Sequence, residues 1–244
     1  MALYVFSDAH LGAGPPAKEL IKLDRINRLA DMVKADGDRL VILGDLFDFW
    51  FEYKRAIPKE NLDVIMLLRD LVRRGITVDY ISGNHDFWMD DFFQNQIGVA
   101  VHLDSLDIEY AGRRLHLIHG DGLAPADRGY RLLKRVLRNR VCIWLYRKLP
   151  PDFAIALAKR VSGTSREYTA RREHHFAADY ERYAEGKLTE GYDIVAIGHL
   201  HLPVFKRFGT GVYINTGDFI NHFSYARMDD SGIALNYLRA ESPE

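Results

Sequence analysis

Arg39-Leu40-Val41-Ile42-Leu43-Gly44-Asp45-Leu46-Phe47-Asp48 is an apolar run that stops at a glycine and gives way to two aspartates. A run that is apolar at every position suits a strand buried on both faces, as in a parallel sheet covered by helices. Glycine lets the chain turn sharply out of such a strand, and the carboxyl end of a strand is where α/β sheets carry their sites. The same grammar extends outward. Upstream, Leu3 to Ser7 reads as a strand ending in Asp8-Ala9-His10, and Lys18 to Lys34 as an amphipathic helix. Downstream, Lys59 to Arg74 reads as a helix and Ile76 to Ser82 as a strand ending in Gly83-Asn84-His85-Asp86, which completes a βαβαβ pattern. A hairpin follows, Leu106 to Tyr110 and Arg113 to His119 joined through Ala111-Gly112, and it ends in His119-Gly120-Asp121. A strand from Tyr192 to Ile197 ends in Gly198-His199-Leu200-His201. Strand-like runs at Pro203 to Phe208, Val212 to Asn215, Phe223 to Met228 and Gly232 to Leu238 close the chain. Between them, residues 123–191 hold no strand-like run. The expectation is an α/β catalytic domain, 1–122 and 192–244, interrupted by a helical lid insertion, 123–191.

The chain's 244 residues, 48% of them hydrophobic, suffice for one sizeable core with an insertion and do not require two independent domains. A single cysteine, Cys142, excludes an internal disulfide framework and fits a reducing compartment. The N-terminal apolar run is too short for a signal segment, and nothing approaches the roughly 18 uninterrupted apolar residues of a membrane span. These readings point to the cytoplasm, with membrane contact limited to the surface.

The five strand-end clusters share one chemistry. Carboxylates, imidazoles and one amide form a mixed oxygen and nitrogen donor set suited to manganese, iron, zinc or similar ions, and the lack of thiolates argues against a structural zinc site. In Asp8-x-His10 and His199-x-His201 the spacing places both side chains on one face if the segment is extended. Taken singly, such motifs are commonly turns, caps or solvated pairs. It is the repetition at successive strand ends that points to a single site.

In this order, Asp-x-His, Gly-Asp-x-x-Asp, Gly-Asn-His-Asp, a later His and Gly-His-x-His, the clusters resemble the calcineurin-like metallophosphoesterase superfamily, over residues 3 to 122 and 192 to 240. The resemblance implies a β-sandwich flanked by helices. It also implies a ligand set: Asp8, His10, Asp45 and His201 for one divalent ion, and Asp45, Asn84, His119 and His199 for another, with Asp45 bridging. Asp48 and Asp86 would orient ligands or hold their loops, while Asp121 has no clear part. Two ions about 3.5–4 Å apart would activate a water as nucleophile and clamp the phosphoryl oxygens. Asp45, Asn84 and His85 are then the catalytic candidates, His85 as transition-state or leaving-group stabiliser; its alternative reading is a loop histidine bonded to backbone.

The insertion bears on the substrate. From Arg128 to Arg172 there are 13 Lys and Arg against 2 Asp and Glu, a local net of +11, on a chain whose formal charge is −1. Tyr130, Leu133, Leu137, Val141 and Trp144 fall on one helical face along Gly129 to Leu149, with Arg131, Arg135 and Arg138 on another. Ala154, Leu157, Ala158 and Val161 beside Lys159 and Arg160 repeat the theme. Basic amphipathic helices suit an anionic lipid surface. An ordinary helical cap with a solvated basic face and a nucleic-acid-binding stripe are the other readings. Asp127-Arg128-Gly129-Tyr130 opening the insertion, together with Gly44-Asp45-Leu46-Phe47-Asp48-Phe49-Trp50, resembles the UDP-2,3-diacylglucosamine pyrophosphohydrolases of lipid A biosynthesis. That resemblance implies hydrolysis of the UDP-linked diacylated glucosamine to UMP and 2,3-diacylglucosamine 1-phosphate, with Mn2+, at the inner-membrane surface. It makes Asn84, His85, Asp127, Tyr130, Ser165 and Arg172 substrate-contact candidates. Well-known members carry Arg where this chain has His85. The competing expectation is a soluble dinuclear-metal phosphodiesterase or phosphatase acting on small nucleotides or phosphoproteins.

Overall fold

The computed structural model describes residues 1–158, 160 and 173–238. β1 (Ala2–Phe6), β2 (Gly37–Ile42), β3 (Thr77–Ile81) and β4 (Ala100–His102) run parallel, with α1 (Pro16–Asp36) between the first two and α2 (Leu62–Arg73) between the second and third. A second sheet contains β5 (Ser105–Tyr110), β6 (Arg113–Ile118), β7 (Ile194–Ile197), β8 (Pro203–Phe208) and β9 (Gly211–Thr216) in the order β5-β6-β7-β9-β8. Its three central strands are parallel and its edges antiparallel. β10 (Ser224–Asp229) and β11 (Gly232–Tyr237) return to the first sheet, giving β11-β10-β1-β2-β3-β4.

Alternation along the strands explains the layering. Leu3 and Val5 of β1, with Val41, Leu43 and Ile81, face Leu115, Leu117, Ile194 and Ile214 of the second sheet. Tyr4 and Phe6 point the opposite way, and with Ile42, Val78 and Tyr80 they pack under Leu29, Val33 and Leu68 of α1 and α2. Because both faces are covered, β1 reads apolar at every position and β2 does so from Leu40 onward. Between β6 and β7 lie α3 (Arg128–Leu137), α4 (Arg140–Tyr146), helical residues 151–158 and α5 (Glu173–Thr189). Phe176, Tyr180 and Ala184 of α5 cover the outer face of the second sheet at Val195, Ile197 and Tyr213.

Two expectations need correction. The single face along Gly129 to Leu149 is broken, because α3 ends at Leu137 and Asn139 caps α4 by accepting from the Val141 amide at 2.8 Å. Val141 and Trp144 therefore lie on a different helix from Leu133 and Leu137, and Leu133, Val141 and Trp144 are all exposed. Asp-x-His and His-x-His are not extended either: Asp8, His10, His199 and His201 have φ of +56°, +42°, +68° and +53°. The three-residue edge strand β4 and the π-helical turn Phe93–Ile97 carried no legible pattern in the sequence.

Leu117 is fully buried between the sheets, so Leu117→Ala is expected to lower the unfolding free energy by about 3 kcal/mol through lost burial and an unfilled cavity. Leu132→Ala, on an exposed face of α3, should change it by less than about 0.5 kcal/mol. Denaturant melts of the two variants check the contrast.

Candidate metal centre

β1, β2, β3, β6 and β7 all end at one edge of the sandwich, and Asp8, Asp45, Asn84, His119 and His199 follow them directly. Cross-loop hydrogen bonds set the ends side by side: Asp8 N to Gly44 O at 3.1 Å, His10 N to Asp45 O at 2.9 Å and Gly198 N to His119 O at 3.0 Å. Asp8, His10, Asp45, His199 and His201 all adopt the left-handed backbone region, which costs a residue with a Cβ roughly 1–3 kcal/mol. Such strain persists only where the surroundings hold it, and here it turns the side chains of consecutive loops inward. Gly83 serves by close approach: a Cβ there would sit 2.1 Å from Asp45 Oδ1.

The donor atoms form two groups joined at Asp45. His10 Nε2 and His201 Nε2 are 3.2 Å apart, and Asp8 Oδ1 lies 3.7 Å from the first and 3.3 Å from the second. Across the site, the donors of Asp45, His119 and His199 lie within 4.8 Å of one another, and Asn84 Oδ1 is 3.1 Å from His119 Nε2. Asp45 Oδ2 is 3.6 Å from His10 Nε2 and 3.5 Å from His119 Nε2, so one carboxylate oxygen faces both groups. Donors about 2.0–2.2 Å from an ion lie about 3–3.5 Å from one another, which is near the observed spacing. Asp8 Oδ1 is buried without a hydrogen-bond partner, while Asp8 Oδ2 is taken by the His199 amide at 2.9 Å. A buried carboxylate oxygen left facing two imidazole nitrogens is poorly served by hydrogen bonds and well served by a divalent cation. The residues fit an ion in each group.

Electrostatics agree. Burial alone would lower His119, but the Asp45 carboxylate beside it pushes the imidazole up to about 10. Burial would raise Asp45, and the His119 charge holds it well below the usual carboxylate range. Burial also lowers His199 and His85 to about 4, so both are neutral near pH 7. His119 donates Nδ1–H to the Leu43 carbonyl at 2.6 Å, which fixes the ring with Nε2 toward the site.

Surrounding residues hold the loops. Asp86 accepts from the amides of Gly83 at 2.8 Å and Asp45 at 3.3 Å and from the Tyr80 hydroxyl, and burial raises its carboxyl to about 6. Asp48 Oδ1 lies 3.8 Å from His10 Nδ1 and 3.7 Å from His85 Nδ1. His85 Nδ1 is 3.1 Å from the Asp48 carbonyl, and Asp45 Oδ1 accepts from the His85 amide at 2.8 Å. Sequence reasoning missed Lys22. Its buried ammonium donates to the carbonyls of Ala9 and His10 at 3.0 and 2.7 Å and pairs with Glu19, which accepts from the amides of Gly12 and Gly14. Asp121, without a clear part in the sequence, receives the Tyr130 hydroxyl at 2.5 Å and Lys134 at 2.7 Å, tying α3 to the His119 loop. Tyr130 lines a cavity beside Asn84 and His85, whereas Asp127 is buried at the start of α3. Ser165, Arg172, Val161 and Lys159 lie outside the described residues.

At pH 8 His119 must give up its proton to ligate, while His199 is already neutral. Loading with Mn2+ should therefore release about one proton, with affinity rising with pH up to about 10. Calorimetry in buffers of different ionisation enthalpy measures this, and no release would remove His119 from the ligand set. Gly83→Ala should leave the circular dichroism unchanged yet weaken Mn2+ binding at least tenfold, because its Cβ displaces the Asp45 carboxylate.

Residues 1–203 match the model of calcineurin-like phosphoesterases. A UDP-2,3-diacylglucosamine hydrolase of Porphyromonas gingivalis is 28% identical, the match covering 97% of each chain. Another of that name from Nitrosococcus oceani is 31% identical over 85% of this chain and 82% of its own length. Among solved structures, an archaeal phosphodiesterase superposes with a TM-score of 0.51 at 12% identity, over 98% of this chain and 100% of that one, a likeness of fold. With sandwich, strand-end donors and family model in agreement, the chain belongs to the calcineurin-like phosphoesterases and is a hydrolase of that family.

Proposed function

We propose that the chain hydrolyses the pyrophosphate bond of UDP-2,3-diacylglucosamine, releasing UMP and 2,3-diacylglucosamine 1-phosphate. The observation that carries this reading is a cavity of about 630 Å³ that opens beside Asp48, Asn84 and His85 and is walled mainly by apolar side chains. Phe49 and Trp88 form one side; Leu133 and Leu137 of α3, Leu145 of α4 and Leu157 form the other. Each buried methylene contributes about 0.8 kcal/mol, so acyl chains filling this space gain binding that a polar nucleotide alone would not. The names of the relatives in Porphyromonas gingivalis and Nitrosococcus oceani support the same substrate.

In this reading residues 123–191 act as a lid. Trp88 Nε1 donates to the Leu137 carbonyl at 3.0 Å, Trp88 stacks on Tyr146 at 5.0 Å, and Arg138 and Arg147 pair with Asp104 and Asp90 of the catalytic scaffold. Leu132, Val141, Trp144, Leu145 and Phe153 stay exposed among basic residues, which supports docking on the anionic inner leaflet of the cytoplasmic membrane. Among the described residues no helix is long and apolar enough to cross a membrane.

Asp8, His10, Asp45 and His201 would hold one ion, and Asp45, Asn84, His119 and His199 the other, Mn2+ suiting this oxygen and nitrogen set. Two such ions, when bound, supply an activated water and neutralise phosphoryl charge. The chain's own residues do the placing. The apolar cavity takes the acyl chains and brings the pyrophosphate to Asn84 and His85. Attack at the α-phosphorus breaks its bond to the bridging oxygen, which leaves with the sugar phosphate. That leaving group has a second pKa of about 6 and needs little protonation. A neutral His85, its ring oriented through Nδ1 on the Asp48 carbonyl, is therefore sufficient at this position.

Purified chain with Mn2+ should release UMP from the diacylated UDP-sugar and lose this on chelation; hydrolysis of bis(p-nitrophenyl) phosphate without any UMP release would overturn the reading. Leu137→Glu, which puts a carboxylate in the apolar cavity, should raise the KM for the lipid substrate about tenfold or more. Asp45→Ala should cost at least about 1,000-fold in kcat/KM and Asp127→Ala far less, a contrast that steady-state kinetics resolves.

A further inference from the structure

His10 and His119 are aimed in different ways. His119 is oriented through Nδ1 on the Leu43 carbonyl, the usual way in which a metal-binding imidazole is held. His10 Nδ1 is buried without a hydrogen-bond partner, and Asp48 Oδ1 stands 3.8 Å away from it. The aim of the His10 ring therefore has to come from its backbone, which is left-handed both there and at Asp8. Such a turn persists only where its surroundings hold it.

The turn is held group by group. The Asp8 carbonyl accepts from the Phe219 amide at 3.1 Å, and the His10 amide donates to the Asp45 carbonyl at 2.9 Å. The carbonyls of Ala9 and His10 both accept from the Lys22 ammonium, at 3.0 and 2.7 Å. Lys22 lies in the first half of α1 and is almost wholly buried. An ammonium has three protons to donate, and with Glu19 at 2.8 Å three acceptors surround this one. Glu19 in turn accepts from the Gly12 and Gly14 amides at 2.8 and 2.7 Å. One buried ion pair of α1 thus grips the loop from both sides, its cation on carbonyls and its anion on amides. Burying an ammonium is costly unless its partners stay in place, so the loop cannot release those two carbonyls cheaply.

We propose that Lys22 is a positioning residue for the first ion. It holds the Ala9–His10 turn so that His10 Nε2 stays beside Asp8 Oδ1 and His201 Nε2, in place of the ring hydrogen bond that His10 lacks. The assignment rests on the two-ion reading of the centre and needs no particular substrate. The second group is held by other contacts, Asp86 on the Gly83 and Asp45 amides and the Leu43 carbonyl on His119, so the effect of Lys22 falls on one ion.

The test is calorimetric titration of Mn2+ into the full chain, in the wild type and in Lys22→Met, Lys22→Arg, Glu19→Gln and Leu117→Ala. Lys22→Met keeps an apolar stem and removes the ammonium; it is expected to weaken one ion about tenfold or more and the other by under about threefold. Lys22→Arg restores a cation and should lose less. Leu117→Ala, destabilised between the sheets, should melt earlier with both affinities kept. Two further backgrounds identify the ion. The loss should persist in His199→Ala, which leaves the first group intact, and vanish in His201→Ala, which does not. Equal weakening of both ions overturns the proposal, as does Lys22→Met binding both like the wild type or a loss that vanishes in His199→Ala. Should Lys22→Met fail to fold, Glu19→Gln decides: severalfold weakening confined to the first ion supports the clamp, and none overturns it. Fewer than two Mn2+ in the wild type sinks the two-ion reading and the clamp together. Loss confined to the first ion supports the clamp whether or not the chain releases UMP, so failure of the substrate reading is seen apart.

Discussion

The Asp45 carboxylate is buried between two groups of imidazoles, and most of what surrounds it follows from the cost of keeping a charge there. A carboxylate removed from water needs a compensating charge and partners for its lone pairs. Oδ1 takes the His85 amide and Oδ2 faces both His10 and His119. To bring those groups together, the chain accepts left-handed backbone at Asp8, His10, Asp45, His199 and His201. It also removes the side chain at position 83, and Asp86 collects the amides of the loops that turn around the site. The sandwich beneath supplies the rigidity: Leu3, Val41, Leu117 and Ile214 are fully or almost fully buried, so the strand ends cannot drift apart without opening the core.

Helices α3 and α4 are anchored around this site, not merely laid over it. Asp121 receives both Tyr130 and Lys134, and its carboxyl, which burial would raise, is held low mainly by the His119 charge and by Lys134. On the other side, Trp88 and Tyr146 join the loop after β3 to α4 through a stacked pair. One face of α3 thus borders an apolar space and the other a basic one.

His85 illustrates how burial redefines a residue. Enclosed as it is, it is lowered to about 4 and spends Nδ1 on the Asp48 carbonyl, so its contribution is a fixed, neutral ring at the mouth of the apolar cavity. The sequence reading held both roles open, backbone-bonded loop histidine and helper of the leaving group, and the structure gives the ring the backbone contact.

By itself the sequence determined the strand-end donors and the α/β class, because apolar runs that stop at Gly-Asp, Gly-Asn and Gly-His are local patterns that need no partner to be read. It also marked the basic stretch from Arg128 to Arg172, through its helical period and local charge of +11. Only the tertiary structure decided which donors face one another. The convergence of Asp8 with His201, or of Asp45 with His119, depends on loop backbones strained by neighbours far along the chain, and no local spacing encodes that strain. The break between α3 and α4 and the clamp of Lys22 on the Ala9 and His10 carbonyls were hidden for the same reason. Each is a contact between elements, and its energy exists only when both are in place.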